Sequence, residues 1–114
     1  MQRPGTNPQD VNPEDILCDF CHRATWSKEI ASIEGHHGSI VCSDCLACAW
    51  VEVVQAEAGI RLDGAACTMC LEERTDPAWR SPLHEAACIC RRCIKLAGRA
   101  FKKDGHSDWV ERVN

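Results

Sequence analysis

Four C-x-x-C pairs, at Cys18/Cys21, Cys42/Cys45, Cys67/Cys70 and Cys90/Cys93, constrain this chain more than any other feature. Ten of the 114 residues are cysteine, whereas only two are Phe and none is Tyr. A chain this small with so little aromatic mass needs a staple, either disulfides or metal. The opening "MQRPGTNPQDVNPEDI" has no apolar stretch of the signal-peptide kind, so a reducing cytoplasm is the expected setting. No apolar run reaches the ~18 residues of a membrane span. In that setting the thiols point to metal rather than disulfides. Two residues between cysteines let both sulfurs of a tight knuckle reach one ion about 2.3 Å away, and two pairs complete a tetrahedron. A thioredoxin-like redox reading needs a C-x-x-C before a helix in a βαβ pattern, which this chain lacks.

The chain repeats itself. "CDFC" at 18–21 recurs as "CTMC" at 67–70, and "IVCSDCLACA" at 40–49 recurs as "CICRRCIKLA" at 88–97. Setting Cys42 on Cys90 also sets Cys45 on Cys93, Leu46 on Ile94 and Ala49 on Ala97. Twenty residues separate the pairs in the first copy and nineteen in the second. Cys48 then falls opposite Leu96, and Cys88 opposite Ile40. Positions that accept Leu or Ile in the sister copy are expected in the core. That leaves Cys18, Cys21, Cys42 and Cys45 for one zinc ion and Cys67, Cys70, Cys90 and Cys93 for a second. His36 and His84 both lie six residues before a second pair. Each set already has four thiolates, so both are expected on a hairpin surface. His22, His37 and His106 have no partners at ligand spacing.

Local signals place these motifs. Residues 1–15, with three prolines among Asn, Gln, Asp and Gly, read as a disordered lead-in. Each copy then reads as a knuckle, a hairpin and a second knuckle opening a helix, giving one finger over residues 16–60 and another over 61–103. The first helix is expected over 43–58, with Ser43 and Asp44 in its first turn and Gly59 at its stop. The second is expected over 91–103, with cations in its last turn and Gly105 beyond. "GIRLDGAA" at 59–66 reads as a short linker. The tail 104–114 contains "SDWVERV", which suits a further helical turn with Ser107 as cap and Trp109 and Val113 on one side.

Knuckle, hairpin, knuckle and helix make a treble-clef finger, so the expected fold is a small zinc-stabilised α+β protein of two tandem fingers. The first copy resembles the C4 zinc-binding domain at the N-terminus of the ClpX protein unfoldase. The matching residues are "CDFC" at 18–21, Gly35 and "IVCSDCLAC" at 40–48, within roughly residues 16–56. The second copy is similar mainly through "CTMC" and "ICRRCIKLA"; its "LEERTDPAWRSPLHEAA" departs from the usual middle segment. The resemblance implies a domain that dimerises and docks adaptors or substrates without doing chemistry. The family's ATPase activity is not expected, because the chain has no G-x-x-x-x-G-K-[ST] motif.

Charge bears on partners. Residues 16–60 carry two Lys/Arg and six Asp/Glu, whereas residues 61–103 carry nine and five. The formal total is −4, and two zinc–tetrathiolate sites of −2 each would make it −8. That is a poor footprint for nucleic acid, which is not the expected partner. Arg92, Lys95, Arg99, Lys102 and Lys103 form a basic helical face, but no aromatics interleave to stack on bases. The favoured reading is a non-enzymatic module that recruits a protein partner, as an adaptor for a proteolytic or modification machine. The alternatives are a RING-like scaffold for a conjugating enzyme, with interleaved ligand pairs, and a small nucleic-acid-binding regulator. The first helix is apolar around most of its circumference. It is therefore expected to pack on the sister finger as an internal pseudo-dimer, or on a second chain as a homodimer, with Trp50 largely buried.

Overall fold

Both cysteine repeats fold in the same order, knuckle, hairpin, helix. The computed structural model describes residues 1–105, Trp109 and Val113. In the first repeat, strands β1 (Ser32–Glu34) and β2 (Ile40–Cys42) pair antiparallel, and helix α1 (Ser43–Ala49) follows directly. In the second, β3 (Ala78–Arg80) pairs with β4 (Cys88–Cys90), and α2 (Arg91–Lys103) follows. The registers correspond: Ser32 faces Cys42, and Ala78 faces Cys90.

The knuckles match bond for bond. Cys18 N–H donates to Arg23 O and Cys67 N–H to Glu72 O, each reaching five residues ahead. His22 and Leu71, which close the two turns, both adopt left-handed φ, 61° and 62°. Such angles are uncommon outside glycine, so their recurrence at one position marks the same tight turn made twice. Each knuckle is sewn to its own hairpin by Asp19 N–H to Ile40 O and by Thr68 N–H to Cys88 O.

The second helix covers 91–103, as its sequence signals indicate. It buries Cys93, Ile94, Ala97, Gly98 and Phe101, a stripe at helical spacing. The first helix differs from expectation. Its α-helical part ends at Ala49 and continues as a π-helical turn over Trp50–Gln55, with Ala56 as cap. Trp50, Val51, Val53 and Val54 crowd this stretch, and β-branched side chains lose χ1 freedom against the preceding turn of an α-helix. It is not covered all round: Leu46, Ala47, Ala49 and Val53 are buried, whereas Cys48 and Val51 face solvent and Trp50 is half-buried.

One apolar core draws on both repeats, from Phe20, Val41, Leu46 and Val53 to Trp79, Ile89, Ile94 and Phe101. The contacts that join the repeats are reciprocal. His36 N–H donates to Met69 O at 2.9 Å, and the Ser81 hydroxyl donates to Phe20 O at 2.5 Å. Phe20 and Met69 are equivalent knuckle positions, so the tip of each knuckle rests on the other repeat's hairpin. Gly35 permits one of these approaches, because a Cβ there would lie 2.7 Å from Met69 O. Between the helices, Trp50 packs on Gly98, its own counterpart when Ala49 is set on Ala97. Trp109 meets Trp50 edge-on at 5.5 Å, and Trp109 and Val113 are both buried. Ser107 and His106 lie outside the described residues.

Two segments carry more structure than their composition suggests. Gln2 pairs with Ile16, and Arg3 N–H donates to Asp15 O, folding residues 1–15 back on the first knuckle. In the stretch 59–66, Ile60 exchanges two backbone hydrogen bonds with Ala78 and Leu62 is buried beside Ala78 and Cys88. Gly59 enters that pairing at φ 118°, where a side chain would be strained.

Candidate metal centres

Each helix starts on a cysteine. Cys42 and Cys90 are the last residues of β2 and β4 and the N-caps of α1 and α2. The strand fixes the first sulfur of the second pair, and the first helical turn delivers the other, Cys45 or Cys93. The tight knuckle turn presents Cys18 and Cys21, or Cys67 and Cys70, from the opposite side.

The eight cysteines gather into two groups, Cys18/Cys21/Cys42/Cys45 and Cys67/Cys70/Cys90/Cys93, whose sulfurs lie within 4.8 Å of one another. Grouping is in chain order, first pair with second and third with fourth. A RING cross-brace would join the first pair to the third, and that arrangement is not the one here. Three of four cysteines in each group are buried, and the second of each knuckle, Cys21 or Cys70, is half-buried.

The spacings discriminate between chemistries. Cys18–Cys45 sulfurs lie 3.9 Å apart, Cys21–Cys42 3.8 Å and Cys70–Cys90 4.0 Å. A disulfide needs about 2.0 Å. A tetrahedron of sulfurs about 2.3 Å from a central ion has edges of about 3.8 Å, so these groups have the dimensions of a four-thiolate metal site.

Backbone donors support the same reading. Phe20 and Cys42 N–H point at the Cys18 sulfur at 3.3 and 3.4 Å, and Cys45 N–H points at Cys42 at 3.5 Å. In the second group Cys90 N–H points at Cys67 at 3.4 Å. Such bonds stabilise sulfur as thiolate and fix its orientation. The first group has a cation as well: Arg23 reaches the sulfurs of Cys21 and Cys42 at 3.3 and 3.4 Å and Asp44 at 2.6 Å. In the second repeat Glu72 stands at the aligned position, and Arg74 binds Glu72 and Asp76 instead.

Without a cation between them, four close thiols cannot all ionise. Donation from Cys18 and then Cys45 holds Cys42 far below the ordinary thiol range, and donation from Cys90 and Cys93 does the same for Cys67. Their partners hold on to their protons. Cys18 is pushed up to about 12 by its bond to Cys42, Cys90 to about 12 by its bond to Cys67, and Cys45 and Cys93 rise further. A divalent ion at the centre removes this conflict, since it supplies the charge that lets all four sulfurs be anions. Each group could therefore hold one metal ion.

The other candidates divide. Cys88 is buried, donating to Ala66 O at 3.3 Å, as its alignment with Ile40 implies. Cys48 is exposed, which corrects its assignment to the core: α1 buries the residues on either side of it. Its counterpart Leu96 is exposed too, so the two positions correspond in depth although one holds a leucine. His36 is exposed, whereas His84 stacks on His22 with ring centroids 3.3 Å apart, a pairing no sequence signal announced. Neither joins a thiol group. Among the described residues no helix is long and apolar enough to cross a membrane.

No family model matches the chain, and neither a curated protein nor a solved structure matches it.

Proposed function

We propose that the chain is a zinc-stabilised protein-recruitment module, made of two treble-clef fingers joined as an internal pseudo-dimer, and that it does no chemistry of its own. The observation that carries this reading is the pair of four-thiol groups at tetrahedral spacing. Four thiolates complete the coordination shell of zinc and leave no position for an activated water. The metal then braces knuckle, hairpin and helix, and the function falls to the surfaces they hold. All-sulfur tetrahedral sets suit zinc or iron, and zinc is the proposal here because nothing in the sites calls for electron transfer. The reciprocal knuckle–hairpin bonds and the meeting of Trp50 with Gly98 support the pseudo-dimer, since equivalent positions meet when two copies are related by a two-fold axis. The resemblance to the ClpX zinc-binding domain points to adaptor or substrate docking as the role. The chain-order ligand groups count against a RING-like scaffold.

Affinity enrichment with the zinc-loaded chain, run beside the chelated chain, tests the proposal. A protein partner retained only by the zinc form is the expected result. Retention of nucleic acid alone, or capture of a ubiquitin-like conjugating enzyme as the main partner, would replace this reading.

A further inference from the structure

The two knuckle–hairpin junctions are equivalent in position and unequal in filling. At one, Trp79 lies against Phe20 with ring centroids 5.8 Å apart, and Phe20, Trp79 and Ser81 are all buried. At the other, Ile33 stands where the first has Trp79, and Met69 stands where it has Phe20. These side chains are smaller, and beside them lies a cleft of about 290 Å³ walled by Ile33, Met69, Leu96 and Ala97 and, from the second thiol group, by Cys70 and Cys93. Leu96 on its wall is 46% exposed, an apolar side chain with solvent over it. The molecule's own sealed junction shows what such a space accepts, which is an aromatic ring.

The ground beside the cleft is basic. Helix α2 carries Arg91, Arg92, Lys95, Arg99, Lys102 and Lys103 and no acidic residue. Among the described residues none of these cations makes a salt bridge, although Lys102 lies over the Trp50 ring at 5.2 Å. Arg92 lines the cleft itself, and Lys95 and Arg99 continue along the helix from it. Glu34 lies on the opposite rim and would repel carboxylates there.

We propose that the cleft between β1 and α2 docks an acidic peptide segment with one aromatic anchor, its ring against Ile33, Met69 and Leu96 and its carboxylates along Arg92, Lys95 and Arg99. A buried aromatic anchor with a charged flank is the usual division of labour at such a site: the ring provides affinity, and the charges provide orientation and on-rate. The inference rests on the recruitment reading and specifies its surface.

The test uses the full zinc-loaded chain and a labelled peptide of one tryptophan flanked on both sides by glutamates, with binding followed by fluorescence anisotropy. Saturable binding is expected, weakened at least about tenfold when alanine replaces the tryptophan or lysines replace the glutamates. Ile33→Trp, which copies the sealed junction, should weaken binding by a similar factor while zinc content stays at the wild-type value. Leu96→Glu changes an exposed residue and should do the same without depending on how the junction repacks. Equal binding of the alanine peptide, or wild-type binding by zinc-loaded Ile33→Trp and Leu96→Glu proteins, would overturn the proposal. So would a single-stranded oligonucleotide that displaces the peptide and binds more tightly, since α2 would then belong to nucleic acid. If the peptide does not bind but the enrichment yields a zinc-dependent partner insensitive to Ile33→Trp, recruitment stands and this cleft is excluded from it.

Discussion

Replacing Gly98 by Ala tests the junction between the two helices, because two opposing effects have known signs. Inside a helix Ala is better than Gly by about 1 kcal/mol, so an uncrowded position would gain stability. Position 98 is crowded. A Cβ there would overlap Trp50 Cζ3 and come within 2.8 Å of Trp50 Cε3 and 3.1 Å of Trp109 Cη2. Moving Trp50 disturbs its edge-on contact with Trp109, a pair of the kind that contributes about 0.5–1.5 kcal/mol, and its contact with Lys102. Overpacking of this kind costs about 1–3 kcal/mol. Together these losses come to about 1.5–4.5 kcal/mol, and subtracting the propensity gain leaves a net destabilisation of about 0.5–3.5 kcal/mol. Urea unfolding followed by tryptophan fluorescence, at fixed free zinc, measures it, because zinc that binds only the folded state would otherwise move the midpoint. In a Trp50→Ala background the two closest contacts are gone and only Trp109 Cη2, at 3.1 Å, still crowds the new Cβ, so the same change should cost less than in the wild-type chain and move toward the propensity gain of about 1 kcal/mol. If Gly98→Ala stabilises the wild-type chain by that amount, Trp50 does not pack on α2 and the account of the junction is wrong.

Two further predictions concern the metal sites. Arg23→Gln removes the cation from the sulfurs of Cys21 and Cys42 and should weaken metal at the first site about 10–100-fold while sparing the second, as read by chelator competition. Zinc binding near neutral pH should release protons, because Cys18 and Cys90, held at about 12, and the still higher Cys45 and Cys93 are protonated in the metal-free groups. Since protons leave, affinity must rise with pH across this range, and calorimetry in buffers of different ionisation enthalpy measures both effects.

Much of the fold was legible because the cysteine pairs recur at nearly fixed spacing. The repeat located both hairpins and both helix starts, and the cationic last turn and Gly105 located the end of α2. What escaped has physical causes. The π turn at 50–55 arises where bulky side chains crowd, and hydrophobic periodicity does not separate a π turn from an α turn over six residues. Exposure of Cys48 depends on which side of a short helix faces the sister repeat, and an alignment within one chain records similarity at a position rather than its depth. The stacking of His22 on His84 and the pairing of Ile60 with Ala78 join residues distant in sequence with no motif to link them. The grouping of pairs in chain order was favoured by the repeat, because each copy carries a complete set of four thiols.

Native mass spectrometry of the protein purified without added metal tests the central claim most directly. Two zinc ions per chain are expected, falling to one in Cys42→Ala or Cys90→Ala and remaining two in Cys48→Ala. One ion in the wild-type protein, iron in place of zinc, or disulfides among these eight cysteines would contradict the account.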